Sequence, residues 1–282
     1  MADGIVLIDK AEGMTSRAVD NALQHRFSTR RVGHLGTLDP FATGLLLLAV
    51  GKATKFLPYL NDGKKSYLAR LKLGYLSSTG DPTGEIAKVN CPSLFSAEQV
   101  RSALSSFLGK SMQVPPMQSA IKKDGVPLYR LAHRGESVER APREIEVSRM
   151  ELLRLEGDEV DFLAEVSKGT YIRVLGEDIA KRLGSEGYLL SLRRLSIGPY
   201  GLAGAKRLEE VGESDLREPT PYVVDYPHVG LTDEESEKAK NGLPLDLGKD
   251  YGAEVLLTSH LVGIAIYERG AGTLYRAKRG LF

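Results

Sequence analysis

One carboxylate stands out from its surroundings: Asp39 lies in the glycine-rich segment RVGHLGTLDPFATG, residues 31–44, and is followed directly by Pro40. The proline fixes its own φ and restricts Asp39 to extended backbone, so the carboxylate is presented from a stiff turn. The three glycines of the segment permit close approach by a ligand or by another stretch of backbone. A carboxylate held in this way is a candidate catalytic group, although an isolated Leu-Asp-Pro more often forms a tight turn whose aspartate caps the next element.

The sequence offers no second cluster of chemically active residues. It has no phosphate loop of the Gly-x-x-x-x-Gly-Lys-[Ser/Thr] type, no Gly-x-Gly-x-x-Gly after a strand and no Gly-x-Ser-x-Gly. The five histidines are scattered without metal-ligand spacing, and the single cysteine, Cys91, can form neither an internal disulfide nor a cysteine-based zinc site. If the protein is an enzyme, we therefore expect it to work without a cofactor or a metal ion.

Cysteine usage and hydropathy bear on the compartment. A lone cysteine is typical of a reducing, cytoplasmic environment. The longest apolar run, residues 44–51, is far too short to span a bilayer, and the opening MADGIVLIDK has no basic segment of the kind that begins a signal peptide. We expect a cytoplasmic protein that does not enter a membrane.

Charge is distributed unevenly along the chain, although the formal net charge is only +1. Residues 1–150 hold 21 Lys and Arg against 14 Asp and Glu, whereas residues 151–282 hold 17 against 23. Within the basic half, residues 122–143 carry six Lys and Arg against three acidic residues. This split suggests that a polyanion binds the N-terminal half, although a solvated surface loop would have the same composition.

The elements that must position Asp39 follow from hydrophobic periodicity. Alternating or continuous apolar runs predict strands at residues 4–9, 45–50, 66–73, 145–155, 160–167 and 188–197. Spacing of three and four predicts helices at residues 16–27, 96–107 and 171–183. Strands and helices interleave without a regular βαβ rhythm, which favours an α+β fold. Prolines near residues 218–227 suggest a linker, and strand signals at residues 254–257, 263–267 and 273–277 suggest a small β module after it.

Six ordered blocks of sequence resemble the TruB family, the tRNA pseudouridine-55 synthases. Residues 33–44 match every fixed position of the family's catalytic block, commonly written G-H-x-G-T-L-D-P-x-A-T-G. Similar matches are Asp9-Lys-x-x-Gly-Met-Thr-Ser16, Gly51-Lys-Ala-Thr-Lys-Phe56 with Lys65-Ser-Tyr67, Pro115-Pro-Met-x-Ser-Ala-Ile-Lys122, Ser167-Lys-Gly-Thr-Tyr-Ile-Arg173 and Leu192-Arg-Arg194. Ala11 replaces the proline of the first block, and Gln118 replaces the aromatic residue of the Pro-Pro block.

The resemblance implies a reaction and a set of residues for it. Asp39 would be the essential carboxylate, acting at C1′ of the target uridine either as a nucleophile or by assisting elimination, and Arg173 would keep it ionised. Without its block, Arg173 would be taken for a surface arginine on a helix. Tyr67 would stack on the uracil, Tyr171 would border the same pocket, and Leu192 would form an apolar wall.

The resemblance also implies an RNA-binding surface and an architecture. His34 is similar to the family histidine that fills the gap left by flipped bases. The insertion at residues 113–143 would grip the T-arm of tRNA through phosphate contacts of its basic residues Lys122, Lys123, Arg130 and Arg134. A catalytic domain at residues 1–224, built on a mixed and largely antiparallel sheet with flanking helices, would precede a small PUA-like RNA-binding module at residues 225–282. We expect a monomer without an obligate protein partner.

Three alternatives compete with this interpretation. Dyskerin-type relatives share the aspartate block but act through guide RNAs and partner proteins. They usually carry longer basic flanks. Here the first predicted strand begins at residue 4 and the C-terminal half is acidic, which favours the stand-alone enzyme. An RNA-binding or tRNA-folding module would use the same groove without catalysis. A glycoside hydrolase would need a paired carboxylate, and no motif singles one out.

Overall fold

The computed structural model describes residues 2–89 and 95–281, so the prediction that Cys91 is a reduced thiol lies outside the described residues. The first strands are β1 (Gly4–Lys10), β2 (Val32–Leu35), β3 (Thr43–Val50), β4 (Lys65–Leu73), β5 (Tyr75–Ser77) and β6 (Ile86–Lys88). They are followed by β7 (Gly109–Gln113), β8 (Lys122–Lys123), β9 (Val126–Pro127), β10 (Arg143–Glu156), β11 (Glu159–Val166), β12 (Gly187–Ile197) and β13 (Tyr200–Gly201). The last are β14 (His228–Gly230), β15 (Leu245–Asp246), β16 (Glu254–Ser259), β17 (Val262–Arg269) and β18 (Leu274–Gly280).

The helices are fewer and shorter than the strands. The α-helices are α1 (Ser16–Arg26), α2 (Ala97–Ser105), α3 (Leu128–Ala132), α4 (Ile172–Arg182) and α5 (Asp233–Lys240). Four further segments are 3₁₀ helices: Gly51–Tyr59, Leu208–Glu210, Glu213–Asp215 and Thr220–Tyr222. Every strand and helix predicted from periodicity is present with its ends shifted by a few residues, and the predicted α+β class is confirmed.

The chain forms two compact units. The first comprises Met1–Asp39, Leu45–Asp62 and Leu202–Phe282, and the second comprises Pro40–Gly44 and Gly63–Gly201. Strand β3 therefore begins in the second unit and continues in the first. The predicted boundary at residue 224 stays a prediction.

In the first unit, β3 pairs with β2 in antiparallel register and lies beside β1. Helix α1 forms because Val19 and Leu23 recur on one face and the hydroxyl of Thr15 accepts from the N–H of Ala18 at its start. Both apolar residues are fully buried in a cluster with alternate residues of β1 and β3. This packing fixes α1 against the strands that precede and follow Asp39 in the chain.

The same unit contains a five-stranded sheet in the order β14–β16–β17–β18–β15. The pairing is antiparallel except between β14 and β16. Its core has its own set of buried side chains, among them Val255, Leu257 and Tyr267, with Ala239 of α5 packed beside them. The predicted C-terminal strands thus form one sheet with a common core.

The second unit is built on five strands in the order β12–β4–β11–β10–β7, all paired antiparallel. Strand β4 shows why the alternation in the sequence was informative: Tyr67 and every second residue after it are buried on one face. On the opposite face, Arg70 makes a bidentate ion pair with Asp161 at 2.6 and 2.9 Å. Together with the parallel contact of β12 with the start of β3, this confirms the mixed, largely antiparallel sheet.

Candidate active site

The loop that leads to Asp39 is fixed to the first turn of α1. The hydroxyl of Ser16 accepts from the N–H of Leu38 at 2.9 Å and donates to the carbonyl of the same residue at 3.1 Å. Both Ser16 and Leu38 are almost fully buried. Because the two bonds satisfy both backbone groups of the residue immediately before Asp39, they fix the direction in which the chain enters Asp39.

One turn further along α1, Asp20 holds His34. Nδ1 of His34 lies 3.0 Å from both carboxylate oxygens of Asp20, which is only 2% exposed. Since an ionised carboxylate can only accept, Nδ1 carries a proton, and Nε2 lies 3.1 Å from the hydroxyl of Thr37. Ser16 and Asp20, four residues apart on one helix face, therefore anchor both ends of the segment between His34 and Leu38.

The chain that leaves Asp39 is fixed within the second unit. Gly44 has a φ of +98°, and a Cβ at that position would lie 2.2 Å from the carbonyl oxygen of Arg194 on β12. No residue other than glycine fits, since both the backbone conformation and the space exclude a side chain. Thr43 and Gly44 pair in parallel with Arg193 and Arg194. The Ala-Thr-Gly end of the motif is thereby joined to the Leu-Arg-Arg block.

Tyr67 and Leu192 share one face of the sheet of the second unit. Tyr67 on β4 lies directly opposite Arg194 on β12, and Leu192 lies opposite Ala69, so the tyrosine and the leucine are diagonal neighbours. Their exposures are 7% and 6%, and Arg194 is 1% exposed. The structure therefore brings together the aromatic ring of Tyr67, the apolar side chain of Leu192 and the buried guanidinium of Arg194. In the sequence, Arg194 stands out only as part of the Leu-Arg-Arg block.

Arg173, in the first turn of α4, is only 3% exposed. The expectation of a surface arginine, which its helical position alone would favour, is therefore wrong. Its Nη1 donates to the carbonyl of Thr79 at 2.8 Å, and its Nη2 donates to the carbonyl of Gln118 at 2.6 Å. Its Nε lies 3.7 Å from Oδ2 of Asp81, which is itself buried. A buried charge needs such compensation, because an unpaired guanidinium in this position would strongly destabilise the fold.

Asp81 is held rigidly in the turn that follows β5. Its Oδ1 accepts from the backbone N–H of Thr83 at 2.9 Å and from the hydroxyl of Thr79 at 2.8 Å. Gly80 precedes it with a φ of +73°, and a Cβ there would lie 2.5 Å from Oε1 of Glu177. Burial raises the pKa of Glu177 above its ordinary value, and the nearby positive charges of Lys181 and Arg173 act in the opposite direction.

Tyr171, the residue that precedes α4, is bound through its backbone. Its N–H donates to Oε1 of Gln113 at 2.8 Å, and its carbonyl accepts from Nε2 of Gln113 at 3.1 Å. Gln113 thus holds Tyr171, and the carbonyl of Gln118 holds Arg173 two residues further along the chain. Pro115 lies between these two glutamines in the sequence. The sequence alone does not mark Gln113, Asp81, Ser16 or Asp20 as residues that hold the site. Only Ser16 lay in a recognised block, and nothing in the sequence marked the partner of any of the four.

The four basic residues predicted to grip RNA lie between β7 and β10. Lys122 and Lys123 form β8, which pairs with β9 through a tight turn at Asp124 and Gly125, both at positive φ. Arg130 is on α3 and Arg134 follows it. All four side chains are exposed. A two-residue Asp-Gly turn gives a well-defined hairpin, so two of the cations are carried on regular structure.

Neither a membrane span nor a metal cluster is found among residues 2–89 and 95–281. None of the helices in this part of the chain is long and apolar enough to cross a bilayer. No three histidine, cysteine or acidic side chains gather there in an arrangement that could hold a metal ion.

Comparison with known proteins gives the family. Residues 24–172 match the family model of the TruB pseudouridylate synthases, N-terminal domain. The tRNA pseudouridine synthase B of Geobacter sulfurreducens is 41% identical, over 86% of this chain and 82% of that protein. The protein of the same name from Francisella tularensis is 38% identical, over 95% of this chain and 92% of that protein. The one from Dechloromonas aromatica is 39% identical, over 98% of this chain and 95% of that protein. The chain belongs to the TruB family of pseudouridylate synthases, as its sequence blocks indicated.

Solved structures agree on the fold. A crystal structure of a Cbf5–Nop10–Gar1 complex matches with a TM-score of 0.74 and 22% identity, over 99% of this chain and 85% of that one. An H/ACA RNP bound to a substrate RNA containing 2′-deoxyuridine matches with a TM-score of 0.74 and 20% identity, over the same fractions. At this level of identity the likeness concerns the fold.

Proposed function

We propose that this protein isomerises the uridine at position 55 in the T loop of tRNA to pseudouridine, with Asp39 as the essential carboxylate and without a cofactor. The observation that carries the proposal is the anchoring of the catalytic block. The residue before Asp39 is held by two bonds to Ser16, and the block ends at a glycine packed directly on β12. The names of the related proteins supply the substrate class.

The reaction breaks the N1–C1′ bond of the uridine and joins C1′ to C5; C5 loses its proton and N1 gains one, so that the product is an isomer of the substrate. It leaves the oxidation state unchanged. The target base must leave its stack to be reached. In our proposal Tyr67 stacks on the uracil against Leu192, and Tyr171 borders the base with its hydroxyl available either to the base edge or to removal of the C5 proton. Asp39 acts at C1′, either as a nucleophile or by assisting elimination.

Arg173 serves in this proposal as the cation that keeps Asp39 ionised. Support comes from the second unit: the guanidinium is almost fully buried, and two carbonyls and Asp81 fix its plane. A cation that is held in one orientation and shielded from water acts more strongly on an anion brought beside it than a solvated cation does. His34, oriented by Asp20, fills the gap left by the flipped base.

The RNA-binding surface follows from the exposed cations. Residues 113–143 grip the T-arm through Lys122, Lys123, Arg130 and Arg134, which make phosphate contacts that position the RNA. The PUA-like module at residues 225–282 binds a further part of the same RNA. We propose that the protein acts as a cytoplasmic monomer without an obligate partner.

The test is release of tritium from a tRNA transcript labelled at uracil C5. We expect the wild-type protein to release one equivalent per tRNA, mapped to position 55, and Asp39→Asn to release none while binding the tRNA with unchanged affinity. The matched control is Asp158→Asn, because Asp158 is a half-exposed carboxylate that pairs with Lys72 at 2.8 Å on the opposite face of the sheet.

Each alternative has its own outcome. Tight binding of free tRNA without release, followed by release when guide RNA and partner proteins are added, would favour the dyskerin-type enzyme. Binding and refolding of tRNA without release under any condition would favour a tRNA-folding module. Full activity of Asp39→Asn would refute the role assigned to the aspartate.

A further inference from the structure

The base of the insertion is joined directly to the start of α4. Gln113 is the last residue of β7, and it pairs across the sheet with Arg143, the first residue of β10. These two residues therefore mark where the chain leaves for the insertion and where it returns. From this point the side chain of Gln113 reaches the backbone of Tyr171, which is 58 residues further along the chain.

We propose that Gln113 is a positioning residue that couples the RNA-gripping insertion to Tyr171 and Arg173. This inference rests on the proposed function, which gives those two residues their place at the uridine. It goes beyond that function because the proposed reaction assigns Gln113 no contact with the uridine. Gln113 acts only through Tyr171, whose backbone it holds.

The chemistry of the contact explains why an amide is required. A primary amide presents one acceptor and one donor in a plane, which matches the N–H and C=O of a single residue. Gln113 uses both, at 2.8 and 3.1 Å, in the way a neighbouring strand would. A carboxylate could accept from the N–H of Tyr171 but could not donate to its carbonyl.

Gln113 adds to the one helical hydrogen bond of this residue, in which the carbonyl of Tyr171 accepts from the N–H of Leu175 at 3.1 Å. Tyr171 is the N-cap of α4, and its side chain makes no capping hydrogen bond. Gln113 is 5% exposed, so water has little access to replace the amide. The loss of Gln113 would therefore loosen the first turn of α4, and Arg173 lies in that turn.

A second contact joins the insertion to the same turn. The carbonyl of Gln118, five residues after Gln113, accepts from Nη2 of Arg173 at 2.6 Å. Pro115 is buried and lies between the two contacts. Its carbonyl accepts from Nη1 of Arg140 at 3.1 Å, so the chain segments that leave and re-enter the sheet at the insertion are also joined to each other. A displacement of the insertion base by bound RNA would therefore be transmitted to both Tyr171 and Arg173.

The experiment compares Gln113→Glu and Gln113→Met with Gln99→Glu. Gln99 is an exposed residue of α2 in the same unit. Its Oε1 accepts from the N–H of Ser96 at 2.8 Å, and a carboxylate serves equally well in that role. The readouts are the single-turnover rate of tritium release, the Kd for tRNA and the ¹⁹F resonance of 3-fluorotyrosine placed at position 171.

We expect the single-turnover rate to fall about 10- to 100-fold in both Gln113 variants, the loss typical of a group displaced by about 1 Å. The Kd for tRNA should change less than about twofold, because no RNA contact is removed. The rate of Gln113→Glu relative to wild type should recover as the pH falls from 8 to 6, because a protonated carboxyl regains the donor; the relative rate of Gln113→Met should stay flat. The fluorine resonance should shift in both, and Gln99→Glu should match wild type throughout.

Folded Gln113 variants with the wild-type rate would overturn the proposal, and so would a loss confined to tRNA affinity. If both variants failed to fold, as judged by circular dichroism and thermal melting, Gln113 would be a structural residue and the proposal would fail. A wild-type protein that bound tRNA but released no tritium would refute the proposed function and the catalytic part of this one. The fluorine shift would in that case still show whether Gln113 holds Tyr171.

Discussion

Replacement of Ser16 by alanine tests whether α1 positions the catalytic loop. Alanine keeps the helix and removes only the hydroxyl that bridges both backbone groups of Leu38. Because Ser16 and Leu38 are 1% and 4% exposed, water cannot readily take the place of that hydroxyl. A buried donor left without a partner costs about 1–3 kcal/mol, and we expect the free energy of unfolding to fall by that amount.

The effect on activity should exceed the effect on stability. Loss of both bonds lets the peptide between Leu38 and Asp39 rotate, which displaces the carboxylate from C1′. We expect the single-turnover rate of tritium release to fall about tenfold or more, since reactions of this kind are sensitive to misplacement on the scale of 1 Å. The Kd for tRNA should be unchanged, because Ser16 is buried beneath the loop.

Thr15→Ala is the matched control. It removes the hydroxyl that caps the same helix by accepting from the N–H of Ala18 at 3.0 Å, one residue away from Ser16. Loss of such a cap costs about 0.5–2 kcal/mol, so both variants should melt at similar temperatures. Only Ser16→Ala should lose rate per folded molecule. Equal rates in the two variants, or equal losses, would refute the positioning argument.

Three further perturbations test other parts of the site. Gly44→Ala should prevent folding or lower the melting temperature steeply, because its Cβ would lie 2.2 Å from a carbonyl oxygen of β12. Gly13 has a φ of +81° but lies in open space, so Gly13→Ala should lower the free energy of unfolding by only about 1–2 kcal/mol. Equal melting temperatures of the two variants would contradict this argument. Asp20→Leu and His34→Ala should each slow tritium release, and the double variant should be no slower than the slower of the two single variants. Additive losses of rate in the double variant would show that the two residues act separately. Because burial raises the pKa of Glu177, its negative charge destabilises the fold at high pH. Glu177→Gln should therefore melt at a higher temperature than wild type at pH 8, and the difference should vanish below about pH 4.3. A difference in melting temperature that stayed constant across this range would exclude the carboxyl as its cause.

Local patterns predicted the elements well because their causes are local. Alternation along β4 is imposed by the pleat, so Tyr67 could be assigned to the buried face from its neighbours alone. The Ser-x-x-Gln capping box before α2 is likewise a contact between residues three apart, and both of its hydrogen bonds are present.

The contacts that hold the site are distant in sequence, and the sequence carries no local sign of them. Asp81 lies in the segment Gly-Asp-Pro-Thr-Gly, residues 80–84, whose composition indicates only a turn, although its carboxylate compensates the charge of Arg173. Arg173 itself lies on a helix between the buried residues Ile172 and Leu175, where an arginine would ordinarily reach solvent. Its burial depends on partners from two other segments, which periodicity cannot reveal.

The long sequence separations in the first unit have a consequence for synthesis on the ribosome. Strand β1 completes its pairing only through bridges from Ile5 to Arg217 and from Ile8 to Lys206. At a translation rate of about 5–20 residues per second, the partner of Ile8 emerges about 10–40 s after Ile8 itself. Until then this edge of β1 lacks its partners in the nascent chain, although α1, β3 and all of the second unit have already been made. Chaperone binding to the first ten residues, and aggregation of chains truncated before residue 206, should therefore characterise the biogenesis of this protein.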